Sequence, residues 1–494
     1  MQIVVVGAGV AGLGTSLMLG KAGHSVTLLE RDPAPPDDPE EAWSSWERKG
    51  VPQARLAHVF LGRMRNLLRD EHPELYADLL AAGASEIINF ESMPPAITDR
   101  ERRPIDDDIV MLGVRRVVLE QHLRRAAAAA GVDVRSWSPV ASLVAGESVR
   151  DGIPHVTGVR LDDGTTLTAD LVVDCGGRRS PLPRWLDDLG AAAPPEQVVE
   201  DGLMYFGRYY RLNEGQSFPK HGAPLTDIGY LFALTFEADD GWFAIALAVH
   251  NEDKAMRALR DNDAFERAMQ ALPATAMWRT PGLSTPMSDV SSMSGIDDRW
   301  RDIVVDGQPL ATGLVAVGDS LVATNPAFGR GSSLAWICGR ALVDVVAEHA
   351  DDSVALAVAQ HEQTAALTRV WFDQQTAMDS TRLEGMRRIL AGEPPPEADP
   401  NDPMATIPIG LALASGTDAD VFRAMGKIVH ILEDPMQILG DPTIFTKSIE
   451  AYEARGNQPG LGDDGPTRDE LVAALATAPP SAPEAQEGSP AAVG

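Results

Sequence analysis

Residues 1–32 read MQIVVVGAGVAGLGTSLMLGKAGHSVTLLERD, and the fold turns on how they are interpreted. Ile3 to Val6 are four consecutive apolar residues, the pattern of a buried parallel strand. They run into Gly7-Ala-Gly9-Val-Ala-Gly12 and then into a segment that places Leu13, Leu17 and Leu19 on the apolar positions of a helix. In such a strand, turn and helix unit the first glycine permits the tight turn and the second lets a pyrophosphate approach the backbone. The third lets helix and strand pack closely. The free N–H groups and positive dipole end of the helix then face the phosphates. A second strand over 25–29 ends at Glu30, where an acidic residue grips a ribose hydroxyl in units of this kind.

The chain has 494 residues, enough for about three domains of ordinary size. Its 42 basic and 72 acidic residues give a net charge of −30, which argues against binding nucleic acid or an anionic membrane by electrostatics. Cys175 and Cys338 are the only cysteines, so there is no disulfide framework and no CxxC pair. The sequence enters a strand at its second residue, without a basic and apolar leader, and no apolar run reaches the about eighteen residues of a membrane span. The expectation is a soluble cytoplasmic protein.

Beyond Glu30, the proline- and acid-rich RDPAPPDDPEEAWSSWERKG reads as a long exposed loop. Residues 51–83 return to helical spacing, with Leu56, Phe60, Met64, Leu67 and Leu68 on one face and His58, read as a partly buried structural histidine, within the helix. A helix follows from Arg115 to Gly131, then short strands around the Asp163-Gly164 turn, and the apolar strand Leu171-Val172-Val173 aimed at Gly176-Gly177. From about 200 to 300 the long aromatic-rich segments read as antiparallel strands. Their Tyr205, Tyr209, Tyr230, Phe232, Trp242 and Phe243 are expected to form an apolar substrate wall. Residues 313–333 again read strand, acid, glycine-rich turn and helix. A proline-rich linker, EPPPEADPNDP, precedes a last helical block over about 404–455, and the tail from about 478 lacks the apolar content to fold.

Three widely separated segments, GAGVAG with Glu30, DLVVDCGGRRS, and VAVGDSLVATNPAFGRG, together resemble the flavoprotein monooxygenase superfamily, whose best-known members are the aromatic hydroxylases. The resemblance implies FAD extended between the motifs. Gly7, Gly9 and Gly12, with Val10 and Ala11, would meet the pyrophosphate, and Glu30 and Arg31 the adenosine ribose. Arg116 would lie at the flavin side of the cofactor, Asp174 and Gly176 along it, Gly318 and Asp319 at the ribityl chain, and Pro326, Gly329, Arg330, Gly331 and Ser332 beside the isoalloxazine. The helix N-terminus at GRGSS offers backbone donors to an anionic flavin. The segment ERKGVPQARLAHVFLGRMRNLL also resembles bacterial flavin monooxygenases and polyene epoxidases of lipophilic, polyketide-like substrates, which adds Arg48, Gln53 and Arg55 to the cofactor contacts.

The fold so implied is α/β: an FAD-binding Rossmann-like domain of the glutathione-reductase type, an inserted antiparallel-sheet substrate domain and a C-terminal helical region. The FAD-binding parts are expected at 1–85, 111–185 and 301–350, substrate-domain parts at 86–110 and 186–300, C-terminal helices at 351–460 and a flexible tail at 461–494. The activity implied is insertion of one oxygen atom from O2, by hydroxylation or epoxidation, into a small apolar organic substrate of the secondary-metabolite kind. NAD(P)H serves as reductant and a flavin C4a-hydroperoxide as oxidant. Catalysis of this kind draws its hard chemistry from the cofactor, and no side chain stands out as an acid, base or metal ligand. A reductase of isoprenoid-type double bonds and a flavin-free prenyl carrier share the architecture. Halogenation is disfavoured, because residues 50–219 contain no lysine and no WxWxIP signature occurs.

Overall fold

The structure is a computed structural model that describes residues 1–220, 224–394, 399–455 and 465–476. Strand Gln2–Val6 lies at the centre of a five-stranded, wholly parallel sheet in the order Leu314–Ala316, Leu171–Asp174, Gln2–Val6, Ser25–Leu29, Asp133–Arg135. Both faces of the sheet are covered, which is why these strands are continuous apolar runs. On one face sit helices Val10–Lys21, Arg116–Ala129 and Arg330–His349. The first and third of these approach closely: a Cβ on Gly14 would lie 2.7 Å from the Trp336 ring, and one on Gly339 would lie 2.5 Å from Thr15 Oγ1. On the other face a small antiparallel sheet, Val140–Ala145, Val156–Leu161 and Thr166–Thr168, packs Leu143 and Val159 with Leu182 and Trp185 against Val4, Val172 and Leu314.

A second sheet, wholly antiparallel, runs Leu225–Asp227, Leu231–Glu237, Trp242–His250, Leu203–Leu212, Ser284–Pro286, with Ser291–Ser294 also paired to Leu203–Leu212. Its outer face carries Phe206, Tyr210, Phe243 and Ile245 under helix Asn262–Ala271. Its inner face turns toward the first domain. The two sheets are tied by a buried ion pair in which Asp239 accepts from the Arg115 backbone N–H at 2.7 Å and from the guanidinium at 2.9 and 2.7 Å. Helix Ser353–Leu390, 38 residues and so about 57 Å long, runs along the molecule and contributes Leu356, Phe372 and Leu383 to three separate apolar clusters. Helices Pro403–Ser415, Ala419–Val429, Pro435–Leu439 and Pro442–Ala454 then pack over Val59, Leu61 and Leu334.

Three segments differ from the sequence expectation. The loop after Glu30 contains a helix, Pro39–Ser45, whose N-cap Asp38 accepts from the backbone of Glu40 at 2.9 Å and of Glu41 at 2.8 Å. Trp43 and Trp46 anchor it in the core. The expected helix over 51–83 is broken into a short 3-10 turn, Pro52–Arg55, and helices Gly62–Glu71 and Pro73–Ala81. Phe60 leaves the helical path to exchange backbone hydrogen bonds with Leu112, so His58 lies on an extended loop. The expected tail over 461–494 begins with helix Arg468–Ala476, which buries Leu471 and Leu475 beside Phe265 and Met269. Each such leucine contributes about 1.5–3 kcal/mol, enough to dock a short helix. The rest of the tail from 477, the stretch 456–464 and linker residues 395–398 lie outside the described residues.

Candidate active site

Three turns meet at the C-terminal ends of the parallel strands. Gly7 has φ +100, and a Cβ there would lie 2.6 Å from the Cys175 carbonyl oxygen of the second turn. Gly177 N–H donates to Ser320 Oγ of the third turn at 2.9 Å, and a Cβ on Gly318 would stand 3.0 Å from Ala11 Cβ. The turns therefore form one continuous rim. Gly12 carries the close packing that its place in the motif implies, since a Cβ there would lie 1.8 Å from the Gly7 carbonyl oxygen. Gly9 differs: the nearest atoms to its would-be Cβ are Arg116 Nη2 at 3.4 Å and Glu120 Oε1 at 4.0 Å, so its backbone is open to a ligand.

Helices Val10–Lys21 and Arg330–His349 both begin at this rim, at Gly9 and Gly329, and neither has a side-chain cap. Their first N–H groups are left to bind something else, and with the dipole they favour an anion.

Around the first turn, Glu30 accepts from Ala8 N–H at 2.8 Å and Asp32 N–H at 3.0 Å, which closes the loop after strand Ser25–Leu29. Arg48 comes in from the far end of the Trp46 loop and is almost wholly buried. It donates to the Ala8 carbonyl at 3.2 Å and stands 3.3 Å from Glu120, 3.6 Å from Glu30 and 3.8 Å from Asp32. Beyond these ion pairs, its Nε and Nη1 make no hydrogen bond among the described residues, and neither does Glu120 Oε2. Unpartnered buried donors beside two uncapped helix ends and an open glycine suit an anionic dinucleotide, so the residues fit FAD. Arg116 donates to Glu120 at 2.8 Å and contacts His58 Nε2 at 3.4 Å. The other ring nitrogen of His58 lies 2.8 Å from the Leu56 carbonyl, which assigns the proton to Nδ1. Burial, and then the Arg116 charge, push His58 down to about 4, so it is neutral at pH 7. His58 is thus at the site rather than apart from it. Nothing near it in sequence points there, because its partner is on a different element.

Other expected contacts are placed differently. Both Asp174 oxygens are engaged within the chain, by Gly176 N–H at 2.8 Å and by the Ser180 hydroxyl, so Asp174 shapes the second turn. Arg330 turns its guanidinium away from the rim, to the Trp371 carbonyl at 3.2 Å and Gln374 at 2.8 Å, and offers the site only its backbone. Arg55 is exposed and reaches the Trp46 carbonyl at 3.5 Å, while Gln53 is half-buried on the same turn. Arg31 is exposed beside Gly50, and Val10 and Ala11 lie in the first helical turn. Pro326 is exposed at the third turn, and Gly331 and Ser332 follow in the first turn of its helix. A Cβ on Gly331 would lie 3.5 Å from Asp319 Oδ1. Asp319 is half-buried and makes no side-chain hydrogen bond or ion pair among the described residues. Asp319→Ala is therefore expected to leave the melting temperature unchanged and to weaken FAD binding by about tenfold, the loss of one hydrogen bond from a charged group. Equal FAD content in variant and wild type would refute that role.

The expected aromatic wall is divided. Tyr209 and Trp242 pack with Trp43 toward the first domain, with the Tyr209 hydroxyl donating to the Leu56 carbonyl at 3.0 Å. Tyr205 and Phe232 share the inner face with Leu383 and Met386. Tyr230 and Phe243 belong to the outer core, and the Tyr230 hydroxyl donates to the Pro466 carbonyl at 2.7 Å. Between the two inner aromatic groups the sheet carries Gly207 opposite Ala246, with Leu56 Cδ2 3.8 Å from the position of a Gly207 Cβ.

Residues 2–86 match the family described as FAD dependent oxidoreductase, and residues 112–185 match the tryptophan halogenase family. Protein Rv3254 of Mycobacterium tuberculosis (strain ATCC 25618 / H37Rv) is 28% identical over 357 residues, covering 67% of this chain and 70% of the relative. The flavin-dependent brominase Bmp2 superposes with a TM-score of 0.57 at 15% identity, over 92% of this chain and 100% of the brominase. PqsL, a probable FAD-dependent monooxygenase from Pseudomonas aeruginosa, does so with a TM-score of 0.53 at 15% identity, over 79% of this chain and 98% of PqsL. At such identities the structural likeness speaks for the fold alone. That fold is the α/β fold of these FAD-binding flavoproteins, with a segment that matches FAD dependent oxidoreductases followed by one that matches tryptophan halogenases. The oxidoreductase match itself is confined to residues 2–86, the strand, glycine turn and helix of the first domain. Among the described residues no helix is long and apolar enough to cross a membrane.

Proposed function

We propose that this protein is an FAD-dependent monooxygenase that uses NAD(P)H and O2 to hydroxylate or epoxidise an apolar organic substrate. The observation that carries the reading is the single rim made by three turns, with two uncapped helix ends and the open Gly9 backbone upon it. FAD bound there supplies the electron transfer and the activation of O2. The chain has four tasks. Arg48, Arg116 and the helix end at Gly9 offset the pyrophosphate charge. Glu30 stands at the adenosine end. The helix end at Gly331 offers N–H donors where negative charge collects on the flavin. The inner face of the antiparallel sheet, with Tyr209, Trp242, Tyr205 and Phe232, provides an apolar, water-poor wall for the substrate.

The experiment is rapid mixing. The protein with FAD is reduced by NAD(P)H without oxygen, then mixed with aerated buffer while the flavin absorbance is followed. Monooxygenation predicts a transient spectrum that is neither that of the reduced nor of the oxidised flavin. Immediate return of the oxidised spectrum, with turnover of a polyene or isoprenoid probe in the absence of oxygen, would overturn the reading in favour of a reductase.

A further inference from the structure

The third turn is braced from beneath by acids that the cofactor site does not use. Asp201, Asp298 and Asp379 come from the approach to strand Leu203–Leu212, from strand Asp298–Arg301 and from the long helix Ser353–Leu390, and each is at most 1% exposed. Asn325 joins them to the turn. Its backbone N–H donates to Asp298 Oδ1 at 2.6 Å and its side-chain amide to Asp201. Its side-chain carbonyl accepts from the Tyr205 hydroxyl and from Ala327 N–H at 2.9 Å, and the latter bond shapes the turn that leads into Gly329.

The guanidiniums of Arg382, Arg178 and Arg330 all stand near these acids, but only one of them pairs with a carboxyl. Arg382 pairs with Asp379 at 2.5 Å. Arg178 instead donates to the carbonyls of Asp297 and Thr324, and Arg330 to the Trp371 carbonyl and Gln374. One paired guanidinium thus stands against three buried carboxyls. Asp298 Oδ2 is buried and has no donor, and the side chain facing it is the Asp379 carboxyl. Two buried acceptors in contact are stable only with a proton between them.

We propose that Asp298 and Asp379 share one proton, and that the protonated pair is a positioning device holding the Asn325 to Phe328 turn, and with it the helix end at Gly331, in the shape that receives FAD. The proposal rests on the reading of this turn as the flavin end of the site. Loss of the proton sets like charges against each other directly beneath Asn325 and loosens its grip on Ala327.

Burial, and then the Asp379 charge, raise Asp298 to about 7, and burial, then Asp379 and Asp298, raise Asp201 to about 8. An acid raised in the folded state binds its proton more tightly folded than unfolded. Its contribution to stability is full below the unfolded value of about 4 and is lost as pH rises through the folded value.

The test measures the unfolding temperature of the apoprotein and, separately, the Kd for FAD from about pH 5.5 to about pH 8.5, for wild type, Asp298→Asn and Asp379→Asn. An asparagine at either place supplies the missing donor permanently. The wild type is expected to lose thermal stability, and about tenfold in FAD affinity, as pH rises over this range, while both variants lose clearly less, keeping only the part of the pH dependence that Asp201 carries. Variants with the wild-type pH dependence of unfolding would overturn the shared proton. A pH-dependent unfolding temperature with pH-independent FAD affinity would overturn the positioning role. If no FAD binds at any pH while the apoprotein still shows the asparagine-sensitive unfolding, the shared proton stands and the FAD reading fails.

Discussion

Gly9→Val is expected to give a folded protein that no longer retains FAD, with affinity reduced by about a hundredfold or more. The added side chain meets no protein backbone, because the nearest atoms to the new Cβ are the far ends of Arg116 and Glu120 at 3.4 and 4.0 Å. Gly9 also has φ −83, which valine tolerates. The two extra methyl groups therefore project into the space where a pyrophosphate must touch the helix N-terminus. Gly12→Ala provides the contrast. Its methyl would lie 1.8 Å from the Gly7 carbonyl oxygen, so the damage falls on the packing of the first helix against its strand, and the protein loses stability or does not fold. Unfolding curves with FAD titrations separate the two cases. A Gly9→Val protein that stays yellow with wild-type affinity would contradict the placement.

Arg48→Met is expected to cost about 3–5 kcal/mol of stability, the range seen when one member of a buried ion pair is removed and its partners remain. Glu30, Asp32 and Glu120 all lie within 3.8 Å of the Arg48 guanidinium, which is 2% exposed, and Glu120 is 1% exposed. Without the arginine two or three carboxylates face each other in a cavity closed to water. Denaturant unfolding measures the loss, and adding Glu120→Gln should return part of it by removing one of the stranded charges. A loss below about 1 kcal/mol would show that water or another cation replaces Arg48.

The parallel core is legible in the sequence because the physics behind it is local. A buried parallel strand must be apolar throughout, and its turn into a helix needs glycine where backbone meets backbone. The meeting of three turns was implied by the resemblance of the three segments, taken together, to the flavoprotein monooxygenase superfamily, and not by any local physics. What was not legible depends on partners distant in sequence. Helix Pro39–Ser45 hides in a proline- and acid-rich stretch, although Asp38-Pro39-Glu40-Glu41 is a helix start signal and its two tryptophans require burial. Leu56 and Phe60 match helical spacing, yet Phe60 pairs with Leu112 in an extended conformation, a choice made by tertiary contact. The aromatic wall could have been refined from period alone: Trp242 and Phe243 are neighbours on one strand, so they must face opposite ways. His58 beside Arg116, and the acids beneath Asn325, have no signature in the chain because each contact joins elements brought together only by the fold.

The central claim is that three turns form one groove for a single FAD, and equilibrium titration of the apoprotein with FAD tests it most directly. One FAD per chain is predicted for the wild type, with binding lost both in Gly9→Val and in Gly331→Val, although the two glycines lie at opposite ends of the core sequence. Absence of binding in the wild type, or a Gly331→Val protein that binds FAD as tightly as the wild type, would contradict the account.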